Sequence, residues 1–324
     1  MKVAGGLSLG LLLSVPAAVA AAGAAIAPSG SPYVVVLGTA QDAGIPQIAA
    51  HLPEDEAARR DPSRRRLVAS LLIVDPAAGG RWLVDATPDV REQVERADAV
   101  APRAPQAAAV GRPPLFDAIL LTHAHMGHYA GLLQLGREAY AAQGQLVLCS
   151  AKMAGFLSTQ EPWASLVRLG HIRIQSFVSG VPQRLSPSVE ITPLAVPHRG
   201  EISDTHAFLI RGPHRSMLYL PDIDRWNAWD RKLEDVLATV DVAFLDGTFF
   251  DETELPGRKL EEIPHPLIRL TLDRLAGLPE GERRKVFFLH LNHSNAAADP
   301  TSAARQRVTN AGMRVAEEGQ REEF

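Results

Sequence analysis

The sequence predicts an α/β (α+β) protein, with two β-sheets packed face to face and helices on the outside. Two observations carry that prediction. Apolar runs of strand length cluster first and then alternate with helix-length amphipathic stretches, in both halves of the chain. His and Asp residues recur where those apolar runs stop, the place where a rigid sheet presents side chains for chemistry.

The first strand is PYVVVLG (32–38), a continuous apolar run stopped by Gly38. HLPEDEAARRDPSRRR (51–66) is dense in charge and holds two prolines, so it is read as a solvated loop. SLLIVD (70–75) and RWLVDA (81–86), joined by PAAGG, read as a hairpin. An Ala/Pro-rich loop covers about 99–114, and FDAILLTH (116–123) is the next strand. YAGLLQLGREAYAAQG (129–144) reads as a helix ended by Gly144, and QLVLCS as a strand. HIRIQSF, VEITPLAVPH and the two runs of THAFLIRGPHRSMLYLPD continue the strands, the last pair turning at Gly-Pro. WNAWDRKLEDVLATV is a helix, VAFLDGTFF a strand, PLIRLTLDRLAGL a helix and KVFFLHLNH a strand. TSAARQRVTNAG closes as a short helix with Gly312 as its stop.

Composition narrows the function classes. The chain has 324 residues, 46% hydrophobic and 22% charged, with net charge -4, so a general nucleic-acid binder is not expected. The single cysteine, Cys149, excludes an internal disulfide and a cysteine-only metal site, and its place in QLVLCS makes it a buried strand thiol. Lys2 precedes a long apolar stretch ending in small residues, with Ala18-Val19-Ala20 before Pro28. That is the pattern of a cleaved export signal over residues 1–27, which leaves one domain over 32–324, periplasmic or secreted, without a stable membrane span.

The polar residues at the strand ends are Asp85, His123, His198, Asp222, Asp246 and His290. His123 and His125, two apart on an extended backbone, point to one side, and a turn brings His128 round. Neutral imidazole is a ligand for zinc, iron, nickel and copper. His198 and Asp222 supply a distant histidine and a carboxylate to complete such a site.

That order of residues resembles the metallo-β-lactamase superfamily. VLGTAQDAGIPQ, LVDATPDVREQ, LAVPHRG, YLPDID, LDGTFF and HLNHSN resemble its pyrroloquinoline-quinone synthesis protein B (PqqB-like) branch. They also resemble its cyclic-phosphate phosphodiesterases and tRNA 3′-processing nucleases. The resemblance spans about residues 33–324 and implies an αββα sandwich with one or two zinc ions at one edge, iron or manganese being alternatives. It implies that His123, His125 and His198 hold the first metal, that His128 and His290 help hold the second, and that Asp222 bridges. Asp85 would orient the histidine loop, as ligating imidazoles require. His293 is a rival to His290. His265 resembles the histidine that serves the related branches as general acid or phosphate holder, and Arg199 is placed to meet an anion.

The chain departs from the family pattern His-x-His-x-Asp-His at Gly127, which has no side chain to bind the second metal. Three readings follow. The second site is weak or empty; a carboxylate from elsewhere, such as Asp42 in TAQDAG, replaces it; or one metal is all the chemistry needs. If Gly127 alone empties the site, Gly127→Asp refills it.

Three functions follow. The first is an exported metal-dependent hydrolase of a small, anionic ester, lactone or phosphodiester, working through a metal-activated water, with a homodimer as its expected assembly. The second is a mononuclear iron oxidoreductase. The third is a non-catalytic binding protein using the same pocket.

Overall fold

The structure, a computed structural model, describes residues 1–2, 30–103, 112–259 and 262–324. The expected export segment lies outside the described residues, as does the middle of the Ala/Pro-rich loop. Among the described residues no helix is long and apolar enough to cross a membrane.

Two seven-stranded sheets form the centre. The first takes β1 (Tyr33–Gly38), β2 (Ser70–Asp75), β3 (Gly80–Val84), β4 (Ala118–Leu120), β5 (Gln145–Ser150) and β6 (Ile172–Phe177). The second takes β7 (Gln183–Arg184), β8 (Glu190–Val196), β9 (Thr205–Arg211), β10 (Ser216–Leu220), β11 (Val242–Asp246), β12 (Val286–Leu289) and β13 (Arg314–Val315). The last strand, β14 (Arg321–Glu323), returns to pair antiparallel with β1. Spatial order follows chain order, β14-β1-β2-β3-β4-β5-β6 in one sheet and β13-β12-β11-β10-β9-β8-β7 in the other.

Alternation along each strand divides the apolar residues into three layers. Val34, Val36, Leu71 and Ile73 meet Phe208, Tyr219, Phe244 and Phe287 between the sheets. The alternate residues Val35, Leu37, Leu72 and Val74 face outward onto helices of the first half, and Leu218, Leu220, Ala243 and Leu245 onto those of the second. Strands buried on both faces explain the unbroken apolar runs, and each large side chain so buried contributes roughly 1.5–3 kcal/mol. The expected sandwich of sheets with outer helices is therefore the observed fold.

Several elements differ from expectation. The charged segment 51–66 contains α1 (Pro53–Arg60), with Pro53 first, acids in the first turn and Arg59 and Arg60 in the last. α2 (Val90–Val100) follows β3. The helix expected over 129–144 is only α3 (Met126–Tyr129) and a 3-10 segment, Ala130–Leu135. There Leu132 and Leu135, three apart, are buried while Leu133 is exposed, the spacing of a three-residue turn. Gly131 sits so close to the Thr87 carbonyl that a Cβ would lie 2.0 Å from it. α4 (Ala151–Thr159), capped by Ser150, and α5 (Trp163–Arg168) are further elements beyond the expected set. WNAWDRKLEDVLATV splits into a 3-10 turn and α6 (Leu233–Leu237), because the Trp226 indole donates to Thr271 and that of Trp229 to the Ala195 carbonyl. α7 (Ile268–Leu275), α8 (Glu280–Arg283) and α9 (Ala303–Asn310) complete the outer layer, with Gly312 at φ +79 ending the last. Cys149 is a buried strand thiol, and burial pushes its pKa up to about 12.

Candidate metal centre

Parallel pairing puts the polar strand ends on one edge. β3 runs parallel to β4, so Asp85 and His123 emerge side by side. β10, β11 and β12 run parallel, which aligns Asp222, Asp246 and His290. Asp85 and His290 have φ of 66 and 63, a left-handed backbone that costs a residue with a side chain on the order of 1–3 kcal/mol. Both residues carry buried polar groups into the cluster, where such strain is found when the surrounding fold enforces it.

The imidazoles are oriented from outside. The Asp85 carboxylate accepts from the Thr122 backbone N–H at 2.8 Å and from the Thr122 hydroxyl at 3.0 Å, and contacts His128 Nδ1 at 2.8 Å. Having given its proton to Asp85, Thr122 Oγ1 accepts from His123 Nδ1 at 3.0 Å. His198 Nδ1 meets Asp224 at 2.9 Å and His265 Nδ1 meets Asp246 at 2.8 Å. Thr248 donates to Asp246 at 2.7 Å and accepts from His290 Nδ1 at 3.0 Å. His123, His128, His198 and His290 thus keep a proton on Nδ1 and turn Nε2 inward, the arrangement that prepares a histidine to ligate, whereas His265 has its Nδ1 on the Asp222 side.

The inward atoms form two groups about one carboxylate. His123, His125, His198 and Asp222 offer four ligand atoms within 4.8 Å of one another, and so do Asp42, His128 and His290 with three. Asp222 Oδ1 lies 3.6 Å from His198 Nε2, while its Oδ2 lies 3.2 Å from His128 Nε2 and 3.4 Å from His290 Nε2. His125 presents Nδ1, 2.9 Å from His123 Nε2 and 3.2 Å from His198 Nε2. Three nitrogens this close hold at most one proton between them, whereas a cation satisfies all three lone pairs. His128 Nε2, His290 Nε2 and Asp222 Oδ2 are buried without a hydrogen-bond partner. Such atoms are costly unless something binds them. The donor set therefore fits a metal.

Electrostatics agrees. Burial, and then the charge of His128, hold His123 well below the ordinary imidazole range, and burial pushes His198 down to about 3, so both rings offer lone pairs. Burial acts to lower His128 too, but Asp85 and Asp222 outweigh it and hold it well above its ordinary value. Burial acts to raise Asp222, but His290, His128 and His123 hold it well below the ordinary carboxylate range. The buried carboxylates call for positive charge, which a divalent cation supplies.

His265 lies at the margin. It is buried, 3.9 Å from Asp222, and Asp222, His265 and His290 form a further group of close ligand atoms. Burial acts to lower its pKa, and Asp246 outweighs that and raises it. It stands between two cavities. One of about 150 Å³ is lined by Gln41, Arg199, Phe249 and Arg258; the other, of about 530 Å³, by Trp226, Ile263, Leu267 and Leu270. His293 is in none of these groups; its Nδ1 is 2.8 Å from the buried Asp55. His206 packs on the Phe177 ring at 5.0 Å. Sequence reasoning missed Thr122, Asp224 and Thr248, although Thr122 adjoins His123, and Asp224 and Thr248 stand in the YLPDID and LDGTFF motifs.

Comparison with known proteins agrees with this geometry. A family model described as the beta-lactamase superfamily domain matches residues 80–291. Coenzyme PQQ synthesis protein B of Xanthomonas euvesicatoria pv. vesicatoria (strain 85-10) is 27% identical over 309 residues, covering 88% of this chain and 98% of that protein. The crystal structure of Zn(2+)-bound PqqB from Methylobacterium extorquens superposes with a TM-score of 0.75 at 20% identity, covering 90% of this chain and 100% of that one. A diphosphatase of the PhnP family superposes at 0.64, also at 20% identity, covering 91% and 98%.

Proposed function

Since the chain belongs to the beta-lactamase superfamily, we propose that it is a metal-dependent hydrolase of a small anionic ester or phosphodiester. The observation that carries this reading is the Asp222 carboxylate, shared between two groups of imidazoles whose outer nitrogens are already engaged. His123, His125, His198 and Asp222 would hold zinc on one side, with His128 and His290 on the other. A bound divalent metal supplies Lewis acidity and acidifies water towards neutrality.

The chain's own residues do the rest. Arg199 and Arg258 line the smaller cavity and bind the substrate's anionic group. His265, its Nδ1 held by Asp246 and its pKa raised, gives its Nε2 proton to the leaving oxygen as the ester bond breaks. The apolar walls of the larger cavity take the uncharged part of the substrate. The name of the PhnP-family diphosphatase supports a phosphoryl substrate over a carboxylic ester.

The test is hydrolysis of bis(p-nitrophenyl) phosphate by zinc-loaded protein. Turnover that stops on chelation and returns with zinc is expected. Turnover indifferent to chelation and to His123→Ala overturns the reading.

One observation favours a second reading, an iron oxidoreductase: the relatives are named for PQQ synthesis. Iron in the purified protein, with oxygen uptake and no ester turnover, would put it first. Export to the periplasm or beyond is part of the proposal and rests on Ala18-Val19-Ala20. Mass spectrometry of the mature N-terminus tests it, and a start at Met1 would refute it.

A further inference from the structure

Gly127 stands where the family pattern has an acid, and the structure gives the reason for glycine there. A Cβ on Gly127 would lie 2.2 Å from Asp42 Oδ1 and 2.6 Å from Asp42 Cα. The place of the missing side chain is filled by another residue's carboxylate. Asp42 Oδ1 accepts the Gly127 N–H at 3.1 Å and lies 3.8 Å from His128 Nε2.

Asp42 is held there by the sheets. β1 does not end cleanly at Gly38. Its register shifts there, and Ala40 bridges to both Val68 and Leu291, one from each half of the molecule. Gln41 N–H donates to the Leu291 carbonyl at 2.8 Å and Leu291 N–H to the Thr39 carbonyl at 2.8 Å. The Gln41 side chain bonds Asn292, and a turn from Gln41 to Gly44 closes the loop. This backbone ties residue 42 to the segment that carries His290. A ligand fixed by backbone on a rigid sheet is pre-organised.

The nitrogens facing Asp42 make no hydrogen bond of good geometry, and their nearest acceptor is Asp222 Oδ2, at 3.2 Å from His128 and 3.4 Å from His290. His128 Nε2 and His290 Nε2 are buried and unbonded, as is Asp222 Oδ2 between them. Asp42, His128 and His290 bring three ligand atoms within 4.8 Å. We infer that Asp42, supplied from beyond β1 rather than from the histidine loop, is the carboxylate ligand of a second divalent-cation site with His128, His290 and Asp222. The inference rests on the metal-centre reading above. It also reverses one sequence expectation, because Gly127→Asp would not refill a vacant position but collide with an occupied one.

The experiment is equilibrium dialysis of full-length protein against zinc, with elemental analysis and with anomalous scattering at the zinc edge from crystals. Wild type, Asp42→Ala, Gly127→Asp and the exchange variant Asp42→Gly/Gly127→Asp are compared, with near-ultraviolet circular dichroism as the check on folding. The inference expects about two zinc ions in wild type and about one in Asp42→Ala. The second zinc should weaken by at least about 100-fold, the upper end of what losing an outer partner costs. It expects Gly127→Asp alone to bind no better than wild type, and the exchange variant to recover the second zinc. A second zinc bound equally by wild type and Asp42→Ala, or an anomalous peak away from Asp42, overturns it and leaves the parent reading standing. A wild type that takes only about one zinc, unchanged by Asp42→Ala, also overturns it. A wild type that takes none overturns the parent reading as well.

Discussion

The His123 side and the His128 side of the cluster use the same residue types by opposite means. On the first, two histidines come from one loop, the three rings touch one another, and His125 is only partly buried, with Nε2 3.6 Å from the exposed Glu201. On the second, the donors come from positions 42, 128 and 290, His128 and His290 are fully buried, and each ring is aimed by a separate partner, Asp85 or Thr248. Each side has one partly exposed donor, His125 on the first and Asp42 on the second. The second draws its donors from three distant segments, so its geometry depends on the whole fold. On the proposed reading, substrate chemistry belongs at the His198 side, because the His265 ring lies 5.2 Å from that of His198 and shares a cavity with Arg199 and Arg258.

The largest effect breaks both sides at once. Asp222→Asn should lower turnover by on the order of 10³-fold or more, because a metal's contribution of several kcal/mol depends on the shared carboxylate. Zinc titration should show both equivalents weakened. Weakening of only one would confine Asp222 to that side.

Next, His265→Asn should reduce turnover by about 10²–10⁴-fold, the usual contribution of a general acid, and leave zinc content unchanged. Lost zinc would make His265 a ligand instead.

Outer partners sharpen the comparison. Asp85→Asn should weaken zinc chiefly at the His128 side and Asp224→Asn chiefly at the His198 side, each by about 10–100-fold. Competition with a chromophoric chelator reads both constants. Equal effects on both sides would mean the halves are not separately oriented.

The smallest effect concerns a carboxylate outside the cluster. Burial raises Glu254 to about 7, with backbone N–H groups of Phe250 and Asp251 and the Ser294 hydroxyl only partly compensating. Its folded pKa lies above its unfolded one, so its ionisation costs stability as pH rises from about 4.5 to about 7. Wild type should lose a few degrees more of melting temperature between pH 5 and 8 than Glu254→Gln does, an effect of up to about 3 kcal/mol. Parallel melting curves would show that Glu254 ionises freely.

The same contrast explains what could be read from the sequence. Part of the His123 side is local, since alternation on an extended backbone aligns His123 with His125, and on both sides apolar runs mark where Asp85, Asp222 and His290 emerge. Asp42 could be raised as one of several options but not placed, because its position depends on Ala40 bridging two sheets. Helix lengths misled where tertiary anchors overrode periodicity, as at Gly131, Trp226 and Trp229. α1 had its signals, Pro53 first and charges graded along the dipole, but they were outweighed by the density of charge. His293 matched His290 in type and neighbourhood, and only the fold shows it turned toward Asp55.

The most direct measurement is the zinc content of wild type, His123→Ala and His290→Ala, each purified without chelator. About two ions per chain in wild type and about one in each variant, with the remaining ion weakened by the lost neighbour, is the predicted result. The same zinc content in all three proteins would contradict the account, since neither side of the cluster would then be where metal is held.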